Sequence, residues 1–523
     1  MAPMTPAASA RQNQPIQQVQ QVQQVQQYHP HDLRISGPLS AESGNPFLTH
    51  VRAVLEGPDG QRTAVPGFYD GDGTWILRVC LNAAGEWRYV TESAAAELNG
   101  HTGTLTCVPN TNPVVHGALL VDPAHPHHFL YEDGTRPFVL GYEANWLWVL
   151  ASLKDGEARL KRFVQKIAGH GFNHVFVNAY AHDTRWRQGT TQPEDYGPPP
   201  VFAWEGTNDA PDHLRPNLVY WRAFDVMMRA LFEHGLTAHI YLRVYNKLVN
   251  WPANRSLADD LFYTYVVARY QGFSNVVWDF SKESKNEPDK AYLENRLSFM
   301  KGSDGYRRLV TTHDDDVYYY NSRYAGSFDF VTDQNHTDLA STLVGQRARF
   351  RCPIINEEFA YECGPGGLED KTYGRSNTAE DHALRTWEVI FGGGYPAYYY
   401  TYTAWDVLRP EDDPPGYRYH QWLAEFVRAG AWWTLEPHPG VALGSRTARC
   451  LAHPDGREVL VFAPEGRNVR LTLPDSGRPS GAVSAEWLQP LTGQRSQTTV
   501  HLGPRASLQP PWTEDGPFVV RLR

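Results

Sequence analysis

Eight short runs rich in β-branched and aromatic residues recur between positions 137 and 405, alternating with longer stretches of helical spacing. They are PFVLGYE (137–143), NHVFVNAY (173–180), LTAHIYLRVY (236–245) and NVVWDFSKE (275–283), then RRLVTTHD (307–314), SFDFVTDQNH (327–336), CPIINEEF (352–359) and PAYYYTYTAW (396–405). Strand and helix in alternation spell βα units on a parallel sheet. Eight such units in about 300 residues fit a closed (β/α)8 barrel.

The pattern changes on both sides of this block. VRAVLEG, TWILRVCLNAAGEWRYV and GTLTCVP read as short strands broken by turn residues, which predicts an N-terminal β-sandwich over 31–115. RCLAHP, EVLVFAP, VRLTLP, AEWLQP and FVVRLR predict a second β-sandwich over 436–523, leaving 116–435 to the barrel. Residues 1–30 contain QPIQQVQQVQQVQQ, too poor in apolar side chains to order itself, and are expected to be a disordered Gln-rich tail. The fold class is α/β, a central barrel between two β-sandwiches.

Composition narrows the function. The net charge is −10 with no large basic block, which argues against nucleic acid as a partner. Aromatic residues make up 13% of the chain; such faces fill cores and also stack on sugar rings. The five cysteines form no C-x-x-C pair, so no structural zinc site is expected. The Gly-rich FGGG at 391–394 lacks the lysine of a phosphate loop, and no cofactor is implied. No apolar run is long enough to span a membrane. The start lacks the order of a secretory signal, so a cytoplasmic location is expected.

Catalytic residues of such barrels lie at the C-terminal ends of the strands. By alternation, Asn178, Arg243 and Tyr245 point inward near those ends and suit recognition of hydroxyls or carboxylates, or else need buried partners. In the fourth strand Asp279, Ser281 and Glu283 share the inward side. In the seventh, Asn356 and Glu358 point in, and Glu357 and Phe359 turn away. Glu283 and Glu358 then form a carboxylate pair suited to glycosidic bond cleavage. Glu287, in NEP at 286–288, is a rival to Glu283. His313 belongs to the oxygen- and nitrogen-rich run HDDD (313–316), which could bind a divalent cation or contribute to a sugar site. Trp146, after the first strand, could line that site or pack a helix.

VVWDFSKE and PIINEEFAYE resemble the fourth and seventh strands of the clan of retaining (β/α)8 glycosidases that includes cellulases and mannanases. The resemblance implies Glu283 as acid/base and Glu358 as nucleophile. It also implies Trp405 of YTAW as a sugar platform and His336 of DQNH as a neighbour of the nucleophile. Lys282 departs from the clan, which has Asn there. The whole layout resembles a narrower apiosidase-like group through NPF…VPGFYDGDGTW…GEWRY (45–89), HHFLYEDGTRPFVLGYEANW (127–146) and AEWLQPLTG…PPW (485–512). That group has an N-terminal sandwich of unknown function and a C-terminal sandwich of collagen-binding type. The expected activity is hydrolysis of oligo- or polysaccharides by double displacement. The alternatives are an inactive carbohydrate-binding barrel, kept open by Lys282, and a metal-dependent hydrolase using residues 313–316.

Overall fold

In the computed structural model the described residues are 23–37, 44–184, 195–314, 327–364, 376–438, 442–443, 447–466, 469–471, 481–503 and 506–523. All eight expected strands form, and they close into one parallel barrel. In chain order these are Gly141–Glu143 (β1), His174–Asn178 (β2), Thr237–Val244 (β3), Val276–Lys282 (β4), Val310–Asp314 (β5), Val331–Asp333 (β6), Ile354–Asn356 (β7) and Tyr395–Tyr398 (β8). Every residue of β3 and β4 is buried, as parallel strands covered on both faces require.

Helices Gly156–Gly169 (α1), Leu218–Glu233 (α2), Leu257–Tyr270 (α3), Lys290–Ser303 (α4), Leu339–Arg349 (α5), Ala379–Phe391 (α6) and Gly416–Arg428 (α7) lie among the strands in sequence. In α1 the buried Leu160, Phe163, Val164 and Ile167 recur at helical spacing, giving one apolar face for the sheet. Side-chain caps fix several helix starts. Asn217 accepts from Val219 N, Ser256 from Asp259 N and Thr378 from Asp381 N, each satisfying a backbone donor left over by the first turn.

The N-terminal region is a sandwich of a five-stranded and a three-stranded sheet. Leu33, Ile35, Trp75, Leu77 and Val79 from one face Ala53, Leu55, Val65, Trp87 and Leu105 from the other in one core. Gln23–Gln26 corrects the expectation of a disordered tail: it is a strand, paired in parallel with Leu105–Val108, with Val25 buried. The earlier part of the Gln-rich tract lies outside the described residues. The C-terminal region repeats the two-sheet plan around Trp487, Val461, Phe518 and Leu471.

Buried ions join the N-terminal sandwich to the barrel. Arg78 sits on strand Thr74–Cys80 and is 1% exposed. Its Nε donates to Asp32 at 2.7 Å, and its Nη1 donates to the Arg269 carbonyl at 2.8 Å and lies 3.3 Å from Asp225 on α2. Arg269 on α3 in turn pairs with Asp225 at 2.8 Å and Asp70 at 2.9 Å. At the other end Arg521 donates to the carbonyl of Phe426 in α7 at 2.6 Å and pairs with Glu486 at 2.7 Å.

Candidate active site

A chain of polar groups crosses the barrel interior beneath the strand ends. His174 Nε2 lies 2.9 Å from His239 Nδ1, and His239 Nε2 lies 3.2 Å from Asp279 Oδ2. Asp279 Oδ1 accepts from the backbone N–H groups of Ser281 at 3.0 Å and His313 at 3.1 Å. All three side chains are sealed from solvent, so each must find its partners inside.

Above this layer the register of β4 against β5 slips between Asp279 and Lys282. The bulge adds one residue and changes the parity, as bulges do near functional sites. Lys282, not Ser281, therefore points into the barrel. Its Nζ lies 2.9 Å from Glu358 Oε2 and 5.0 Å from the centre of the Tyr241 ring. Glu283 follows at φ 55°, ψ 51°, a left-handed conformation uncommon for a side-chain-bearing residue. It is half-buried at the rim, where Asn246 Nδ2 donates to its Oε1 at 2.7 Å and Asn286 Nδ2 to its Oε2 at 3.1 Å. Glu287 is occupied in the adjoining loop by Asn254 at 3.3 Å and the Asp289 N–H at 2.9 Å.

The seventh strand corrects the expected alternation. Ile355 packs in the main barrel core and Ile354 against Leu339 and Leu343 of α5, so Ile355 and Glu357 share the inward side. Glu357 is wholly buried and contacts His313 Nδ1. β7 ends at Asn356, and in the turn beyond it Glu358 also swings inward. Besides Lys282, Glu358 receives a hydrogen bond from Tyr361 Oη to Oε1 at 2.5 Å, and His313 Nε2 lies 3.7 Å from Oε2. Phe359 packs toward the helices as expected, stacked on His382. Glu362 belongs to another joint: Tyr398 Oη donates to it at 2.7 Å, and burial pushes its carboxyl up to about 7. Of the three glutamates in this segment, only Glu358 meets Lys282.

Glu143 and Tyr361, both passed over by sequence reasoning, complete the centre. Glu143, the last residue of β1, is fully buried. Tyr241 Oη donates to its Oε1 at 3.1 Å, and Asn145 Nδ2 donates to its Oε2. The electrostatics of the two carboxyls diverge. Burial pushes Glu358 up, but Lys282 foremost and the Tyr361 hydrogen bond pull it down to about 2. Burial pushes Glu143 up to about 8, with Glu358 adding to the rise and Lys282 opposing it. Despite its own burial, Lys282 is held above its ordinary value by Glu358 and then Glu143. His313 falls well below its ordinary value through burial and the nearby Lys282 charge. At neutral pH the centre holds an ionised Glu358, a charged Lys282 and a neutral His313, while burial favours the neutral form of Glu143.

An aromatic wall flanks Glu358. Tyr361 and Tyr399 have ring centres 4.2 Å apart, Trp405 stands 5.6 Å from each, and His336 meets Tyr361 edge-on at 5.4 Å. His336 and Trp405 thus fall beside the nucleophile candidate through Tyr361. Trp146 is wholly buried and stacked on Trp148 at 5.9 Å, a packing role. Asn178, on the inward side of β2, is 1% exposed, and neither atom of its amide has a hydrogen-bond partner among the described residues.

Arg243 does not join the centre, which corrects its expected place in the mouth. It turns under the β3 loop to Asp259 at 2.6 Å, the Pro252 carbonyl at 3.2 Å and Asn254 Oδ1 at 3.1 Å, with Tyr245 alongside. Arg243→Met should strip the only close cation among the described residues from one oxygen of buried Asp259 and cost roughly 3–5 kcal/mol of stability. Urea unfolding would measure that loss, and KM should stay within about twofold if the role is structural.

His239, Asp279 and Glu357 bring ligand atoms within 4.8 Å of one another and could hold a divalent cation. Of the HDDD run, His313 faces Glu357 and Glu358, only the backbone of Asp314 is described, and Asp315 and Asp316 lie outside the described residues.

The architecture defines the class, a (β/α)8 barrel with flanking β-sandwiches. The chain belongs to the apiosidase-like catalytic domain family, whose profile matches residues 124–435, while residues 24–94 match a domain of unknown function, DUF5060. Among solved structures, one assigned as a glycoside hydrolase from Bacteroides vulgatus ATCC 8482 is 20% identical. It covers 96% of this chain and 99% of its own, with a TM-score of 0.75. A glycoside hydrolase family 5 structure from the same organism is 16% identical, covers 78% and 94%, and has a TM-score of 0.59. A further structure described as a glycoside hydrolase is 17% identical over 78% and 97%, also at 0.59. At these identities the likeness is one of fold. No curated protein matches the chain. Among the described residues no helix is long and apolar enough to cross a membrane.

Proposed function

We propose that the protein is a retaining glycoside hydrolase acting on oligo- or polysaccharides, with Glu358 as nucleophile and Glu283 as acid/base. The observation that carries this reading is the buried Glu358 carboxylate, in the turn after a barrel strand and held ionised by Lys282. Lys282 and Tyr361 each take one lone pair on a different oxygen, and a carboxylate oxygen offers two. A lone pair therefore remains free to attack an anomeric carbon.

In the first step Glu358 bonds to that carbon while Glu283, at the end of β4, gives a proton to the departing oxygen. In the second, Glu283 takes a proton from water, whose oxygen displaces Glu358. Two inversions leave the anomeric configuration as it began. Lys282 serves both halves, since a cation beside the carboxylate also favours its departure from the glycosyl-enzyme.

The reading is tested by incubating the protein with a panel of aryl pyranosides and furanosides and following the first sugar released by proton NMR. The expected product has the substrate's anomeric configuration before mutarotation. An inverted product would replace double displacement with direct attack by water. No hydrolysis across the panel, together with glycan binding, would favour the inactive-barrel alternative.

A further inference from the structure

Glu143 and Asn178 end adjacent strands, and neither is needed by the two-step chemistry. The register of β2 on β3 sets Asn178 opposite Tyr241, whose hydroxyl holds Glu143. The Asn178 N–H also donates to the Asn145 carbonyl at 2.9 Å, and the Asn145 side chain holds the other Glu143 oxygen. The two residues are thus tied into one patch by Tyr241 and Asn145, and Tyr241 in turn lies under Lys282.

Resting on the reading of Glu358 as the reacting carboxylate, we infer that Glu143 and Asn178 form a hydroxyl-binding subsite for the neutral sugar ring attached there. A buried amide with both donor and acceptor unused costs free energy unless something fills the gap. A sugar hydroxyl does so well, because it can accept from Nδ2 and donate to Oδ1. Glu143 has one further lone pair on each oxygen after Tyr241 and Asn145 are counted, enough for a second hydroxyl on a neighbouring ring carbon. The charge pattern selects a neutral ring. Lys282 is already committed to Glu358, and an anionic sugar would meet Glu358 with no described cation in this patch to offset it. The ligand class is a pyranose or furanose carrying two adjacent free hydroxyls.

The test uses thermal unfolding of the full chain with free neutral pentoses and hexoses at high concentration, alongside their monodeoxy analogues. At least one sugar should raise the wild-type melting temperature through ligand linkage. Asn178→Leu, which removes the unused amide while keeping its size, should melt no lower than wild type without sugar. It should bind the active sugar roughly ten- to hundredfold more weakly. The deoxy analogue lacking the recognised hydroxyl should bind both proteins alike. Glu143→Gln, of equal size, should weaken the same sugar and leave its other deoxy analogues in the same order.

Two results would overturn the subsite: no neutral sugar stabilises the wild type, or Asn178→Leu loses stability yet keeps the full sugar shift. The outcome is separable from the catalytic reading. Sugar binding without turnover would leave the subsite standing and remove the hydrolase. Retaining turnover with an unchanged KM in Asn178→Leu would do the reverse.

Discussion

Glu358→Ala should lose turnover of aryl glycosides by roughly 10^4- to 10^6-fold, the scale seen when a covalent nucleophile is deleted. The cavity left by the side chain is lined by Lys282 Nζ and Tyr361 Oη, the two donors that held the carboxylate. A small anion such as azide would be drawn to the same donors and placed beneath the anomeric carbon. Added azide should therefore restore rate and give a glycosyl azide inverted relative to the substrate, since only one displacement remains. Folding should survive, because the change removes a buried charge whose partner Lys282 still has Glu143 nearby. Equal activity in wild type and variant would move the nucleophile elsewhere. Rescue without an inverted azide product would assign Glu358 an electrostatic role.

Lys282→Met should be the second most damaging change, and its pH dependence separates it from a packing defect. Lys282 is the foremost group pulling Glu358 down to about 2 from an ordinary 4.5. Without it burial dominates, and the Glu358 carboxyl rises above its ordinary value. The acid limb of kcat/KM should move to higher pH, with a fall of roughly 10^2- to 10^3-fold near neutrality. The linked stability has a definite sign. A carboxylate with a depressed native value contributes stability that is present above the unfolded value of 4.5 and lost as pH falls toward 2. Here that amounts to about 3 kcal/mol. The gap between wild type and Lys282→Met should therefore be widest above pH 4.5 and close toward pH 2, as read by urea titrations at several pH values. A gap of constant size would mark Lys282 as packing alone.

The barrel was legible in the sequence because strands buried on both faces are apolar runs of the right length, and helices between them carry a different period. Local departures from regular alternation were not legible. The bulge in β4 inserts one residue without any signature in composition, and it moved the inward position from Ser281 to Lys282. β7 is three residues long, so extending its parity to Glu357 and Glu358 extrapolated into a turn. Glu358 was still reached, through the turn and not through the pleat. Glu143 obeys the rule that drew attention to Glu283, ending a strand at the barrel mouth, and the YE of VLGYEANW was a usable signal. Tyr361 offered none, because its reach to Glu358 depends on the turn. Arg243 shows the converse, since its position on the inward side says little about where a long side chain finds its carboxylate. Gln23–Gln26 was missed because its order comes from a partner strand about eighty residues away, while its own apolar content is one valine.

The joint at Arg78 bears on how such chains can be assembled from parts. Domains that meet through polar rims can be exchanged between proteins with little penalty. Here the sandwich contributes a guanidinium that is 1% exposed and set between carboxylates from both sides of the boundary. A substitute module lacking an arginine at that point would leave Asp225 sharing one cation where it now has two, a loss that surface redesign cannot recover. The N-terminal sandwich and the barrel are therefore expected to be inherited together, and recombination at their border should succeed only when strand Thr74–Cys80 and helices α2 and α3 travel as one piece.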